Sequence, residues 1–155
     1  MENFINFLID WLFYSFIEGL IMYVYTLKFC NIKLPKLPKI IINTLMISIG
    51  LALCSRFIHI TGLSQLIWLV YTFLFLKFTL KVKILKIIFS ILIIFMDFSI
   101  VECCLNILFY NINFNILSMN LNSIHRLSAF VVSKILEIVL LRIINKVFLK
   151  RYNNE

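Results

Sequence analysis

The residues best placed to do chemistry are ionisable ones embedded in long apolar runs: Asp10 and Glu18, then Asp97 and Glu102, then Lys134, Glu137 and Arg142. In water such residues would be unremarkable. In a bilayer each costs at least about 2.5–3.5 kcal/mol near the centre, so each is expected to face a protein interior and to find a partner there. Helical rise limits the partners by depth. At 1.5 Å per residue, Asp10 and Arg56 lie roughly 9 and 6 Å below one end of their runs, and Glu102 and Lys134 roughly 12 and 10 Å below the same end. Glu18, Asp97 and Arg142 fall together, roughly 20 Å down. Interhelical ion pairs that fix register are the plain expectation for these residues. A polar route from one face of a membrane to the other is the functional one.

A second group lies near the ends of the runs. Arg56, His59, His125 and Arg126 supply positive or titratable charge, and the connection between residues 111 and 126 alternates Asn and Ser with Ile112, Phe114, Ile116, Met119 and Leu121. Such a segment suits a headgroup boundary, with apolar side chains dipping inward and amides facing water. Arg56, His59, Phe114, Met119, His125 and Arg126 are therefore the candidate ligand-facing residues, with an ordinary interfacial connector as the bland alternative.

Other chemistries lack their residues. No GxxxxGK[ST] or GxGxxG is present to hold phosphate, and the chain has only Gly19, Gly50 and Gly62. There is no HExxH or GxSxG motif. The four cysteines, Cys30, Cys54, Cys103 and Cys104, form no CxxC pair and have no His at ligand spacing, so neither zinc nor a disulfide framework is indicated. No enzyme activity, metal or cofactor is expected.

The elements that must position these residues follow from composition. Of 155 residues 63% are hydrophobic and 14% charged, and mean hydropathy is +1.03, against roughly 45–50% and about 25% in soluble domains. A span needs about 20 apolar residues, and five runs meet or approach that: residues 4–27, 40–60, 63–80, 87–110 and 127–148. The expected fold is a single all-α integral membrane bundle of about five transmembrane helices over residues 1–155. Thr61-Gly62 is expected to make a tight turn. The first run has no basic n-region and reads as a retained helix rather than a cleaved leader. The fifth carries Lys134, Glu137 and Arg142, yet is apolar on every face, which favours crossing over lying on the surface.

Charge sets orientation. The net charge is +8, and its Lys and Arg residues sit mainly in the first loop (Lys28, Lys33, Lys36, Lys39), the third loop (Lys81, Lys83, Lys86) and the tail (Lys146, Lys150, Arg151). With five spans all three fall on one side, which the positive-inside bias makes the cytoplasm. The N-terminus is then outside and the C-terminus cytoplasmic, in a multi-pass protein of a bacterial plasma membrane. This placement explains the positive charge without nucleic acid.

The run Phe13-Tyr14-Ser15-Phe16-Ile17-Glu18-Gly19-Leu20-Ile21, followed by a Lys-rich first loop and a compact bundle ending inside, resembles the membrane sensor portion of accessory-gene-regulator-type sensor histidine kinases. That resemblance implies recognition of an extracellular ligand, commonly a peptide, and transmission to a cytoplasmic kinase. The chain has no phospho-acceptor region or nucleotide-binding boxes, so kinase activity is not implied. The leading expectation is a sensor or regulatory module binding an extracellular peptide or small amphiphile. The rival is a small transporter, or a substrate-binding subunit working with a transport ATPase, in which Glu18, Asp97, Glu102 and Arg142 line a midplane site. A structural subunit and a homo-oligomer remain open.

Overall fold

The computed structural model describes residues 14–57, 61–111 and 124–152. These form five α-helices: α1 (Phe16–Phe29), α2 (Leu37–Phe57), α3 (Thr61–Leu80), α4 (Ile84–Asn111) and α5 (Ile124–Tyr152), with no strand among the described residues. Three of them contain stretches long and apolar enough to cross a membrane, Leu37–Cys54, Gly62–Leu80 and Ile84–Leu105. The first part of the first expected span, residues 4–13 with Asp10, lies outside the described residues.

Local chemistry explains the boundaries. α1 stops at Cys30 because Asn31 enters the left-handed region at φ 56°. Its N–H donates to the Lys28 carbonyl at 3.0 Å, and that of Ile32 to the Leu27 carbonyl at 2.8 Å, a pairing that satisfies two carbonyls the helix would otherwise leave open. Lys81 makes a left-handed turn after α3, at φ 51°. α2 begins three residues before the expected Ile40, because Pro38 occupies its first turn, where a missing N–H costs no bond. Thr61 and Gly62 are not a turn: they belong to the first turn of α3. Gly62 has open space around its Cα.

The chain divides into two compact units, residues 1–92 and 93–155, the boundary falling within α4. In the first, α1 packs on α2 and α2 on α3. Glycine allows both approaches. A Cβ on Gly19 would stand 2.5 Å from Ser48 Oγ and 3.1 Å from the Thr44 carbonyl oxygen, and one on Gly50 would fall on the Tyr71 ring. The Tyr71 hydroxyl donates to the Met46 carbonyl at 2.9 Å, which holds that ring over Gly50.

The interior of this unit is unusually polar. Thr26, Asn43, Thr44, Ser48, Thr72 and Ser90 are buried, and Asn43 Nδ2 donates to the Tyr23 hydroxyl across α1 and α2 at 2.6 Å. Large apolar side chains such as Leu53, Phe78, Phe89 and Val139 are exposed instead. Small and hydroxyl-bearing residues between helices, with Leu and Phe outward, is the arrangement that suits a lipid environment, where apolar burial between helices gains little.

Candidate functional site

Among the described residues, the buried charged side chains, Asp97, Lys134 and Glu137, all lie in the second unit. α5 places Ser133, Lys134 and Glu137 on one face, because residues three and four apart are neighbours on a helix. Lys134 Nζ lies 2.9 Å from Glu137 Oε1, and the Ser133 hydroxyl donates to that same oxygen at 3.0 Å. The ammonium also lies 4.8 Å from the centroid of Phe98 on α4 and 5.3 Å from that of Phe130. Two ring faces thus hold the charge in place by attraction to their π-density. Glu137 has no exposed surface at all.

Asp97, one residue before Phe98 on α4, is 1% exposed. Neither of its carboxylate oxygens has a hydrogen-bond partner among the described residues. Among the described residues, Glu137 and Lys134 are the charged groups near enough to act on it. Two carboxylates therefore share the field of one ammonium, and the ammonium is engaged by Glu137. A buried acid without a partner is costly as an anion, and such groups in spanning helices characteristically mark ion or proton pathways.

The expected residues separate as follows. Asp97, Lys134 and Glu137 come together. Glu102 is exposed on α4 and Arg142 on α5, while Glu18 is half-buried on α1 in the other unit. Arg56 lies on α2, and His125 and Arg126 in the first turn of α5, but their side chains are outside the described residues, as are Asp10, His59, Phe114 and Met119. Ser133, Phe98 and Phe130 were not anticipated. The i, i+4 spacing of Ser133 to Glu137 was a readable signal, whereas the rings carry none, since aromatic residues are frequent throughout the chain.

Cys30 is buried at the end of α1, its sulfur 3.6 Å from Ser90 Oγ. Burial pushes the thiol up from its ordinary value, against the hydrogen bond to Ser90 and the charge of Lys86. A thiol so held is a poor nucleophile, and it acts as a packing residue. No protein-family profile, curated protein or solved structure matches this chain.

Proposed function

We propose that the chain is a five-span module of a bacterial plasma membrane, with its N-terminus outside, that binds an extracellular peptide or small amphiphile and signals to a cytoplasmic partner such as a kinase. The observation that carries this reading is α5, a single helix of 29 residues. At 1.5 Å per residue it is about 43 Å long, roughly 13 Å more than the hydrocarbon core it would cross. It runs from His125 and Arg126, past the buried Lys134–Glu137 pair, to Lys146, Lys150 and Arg151. An unbroken helix of this kind transmits rotation or sliding from an outer face to an inner one as a rigid body. The Asn-rich 111–126 connection, with Phe114 and Met119, is the proposed ligand-facing segment, and Arg56 and His59 are further candidate contacts.

The rival, a small transporter or a subunit serving a transport ATPase, draws its support from Asp97, whose unpartnered buried carboxylate suits an ion-coupling site. Crosslinking in the native cell, through a photoreactive residue at Lys150, separates the two. A sensor kinase or response regulator among the adducts is the expected result. Capture of an ATPase or permease subunit instead would transfer the assignment to transport.

A further inference from the structure

We propose that Asp97 binds one monovalent cation, a proton or a sodium ion, between α4 and α5. The starting point is the count of charge. Among the described residues, Asp97 and Glu137 bring two negative charges into a region where Lys134 supplies one positive charge. Lys134 is not free to move across: Glu137 Oε1 at 2.9 Å and the rings of Phe98 and Phe130 hold it on the Glu137 side. Asp97 is 1% exposed and both its oxygens lack a hydrogen-bond partner among the described residues. A buried carboxylate near a second carboxylate, without a hydrogen-bond partner among the described residues, cannot keep its charge uncompensated. A proton or a small cation supplies the missing charge with the least volume. The site is equally useful to a sensor and to a transporter, so it stands or falls independently of the signalling reading.

The test uses the purified full chain in lipid nanodiscs. Thermal unfolding is followed from mildly acid to mildly alkaline pH at constant ionic strength, in sodium chloride or choline chloride, for the wild type and Asp97→Asn. Binding to the folded state alone must raise stability with cation concentration. If the cation is a proton, the wild-type midpoint falls as pH rises and ignores sodium. If it is sodium, the midpoint rises when sodium replaces choline at fixed pH. In either case Asp97→Asn removes the dependence. A wild-type midpoint indifferent to both ions, or a dependence that survives in Asp97→Asn, overturns the proposal. Should Asp97→Asn fail to fold, labelling of the wild type with a hydrophobic carbodiimide, which reacts with protonated carboxyls in apolar surroundings, takes its place. Labelling of Asp97 that declines with rising pH or with added sodium supports the site. Its absence under every condition, while other carboxyls of the chain react, excludes it.

Discussion

At the scale of residues, the Lys134–Glu137 pair is the feature with the clearest energetic signature. Both side chains are buried, so deleting one leaves the other as an isolated charge, at a cost of about 3–5 kcal/mol. Lys134→Met and Glu137→Leu are each expected to destabilise the protein by that amount in detergent unfolding. The double variant is expected to cost far less than the sum, because it leaves no orphaned partner in this pair. Strict additivity would show that the pair is not coupled. Depth along the runs pairs Lys134 with Glu102 on a different helix. The i, i+3 spacing puts Lys134 beside Glu137 on its own helix as well. Glu102 is exposed, one and a half turns beyond Asp97 on α4. Depth fixes only one coordinate of a helical residue. The face it occupies, set by rotation about the axis, is a second coordinate, and continuous apolar runs with little amphipathic patterning leave that angle almost undetermined.

At the scale of elements, the helices were largely legible because an apolar run of about 20 residues has few other uses. Their ends were less so. Hydrophobicity locates the lipid-buried part of a helix, while hydrogen bonding continues past it, as α4 does from Ile84 and α5 to Tyr152. The contacts between α1, α2 and α3 depend on glycines whose roles differ. Gly19→Ala drives a methyl group against Ser48 Oγ, which is held by its hydrogen bond to the Thr44 carbonyl at 2.7 Å. It should cost about 1–3 kcal/mol. Ser48→Ala removes the nearest atom and should recover part of that loss, although the Thr44 carbonyl, 3.1 Å from the new Cβ, stays in place. Gly62→Ala meets nothing within 4 Å and should leave stability within about 0.5 kcal/mol. Unfolding midpoints of Gly19→Ala, Gly19→Ala with Ser48→Ala, and Gly62→Ala in one detergent decide the matter. Equal gains at Gly19 and Gly62 would mean that helix propensity, which favours alanine over glycine, governs both rather than close approach. Gly19 appeared in the sequence only as part of a short motif, and its contact with Ser48 could not be read there, since a small residue announces room for a neighbour without naming it.

At the scale of the whole molecule, the distribution of polarity reverses that of a soluble protein: Thr26, Thr44, Ser48 and Thr72 are fully buried, while Leu85, Phe89 and Phe78 stand well exposed. Composition foretold such a reversal, but nothing in it specified which hydroxyls would turn inward. Orientation is a separate property, carried by loops rather than by packing. Lys28, Lys33, Lys36 and Lys39 follow α1, Lys81, Lys83 and Lys86 surround the start of α4, and Lys146, Lys150 and Arg151 close α5. The five spans proposed above put all three groups on one side. With α5 lying along the surface the tail would face away from the other two groups, against the bias that keeps Lys and Arg in the cytoplasm, whereas α1 on the surface would leave all three together and move only the N-terminus. Single cysteines introduced at Lys36 and at Asn113, in a background with Cys30, Cys54, Cys103 and Cys104 replaced, test whether an odd number of spans separates the first loop from the 111–126 connection. In intact cells a membrane-impermeant maleimide is expected to label position 113 and to reach position 36 only after the membrane is opened. Labelling of both in intact cells would mean that an even number of spans separates those positions, and the reverse pattern would invert the molecule. The reverse pattern would remove His125, Arg126 and the 111–126 connection from an extracellular surface, and with them the ligand-binding face proposed above, whereas labelling of both would refute the five-span arrangement.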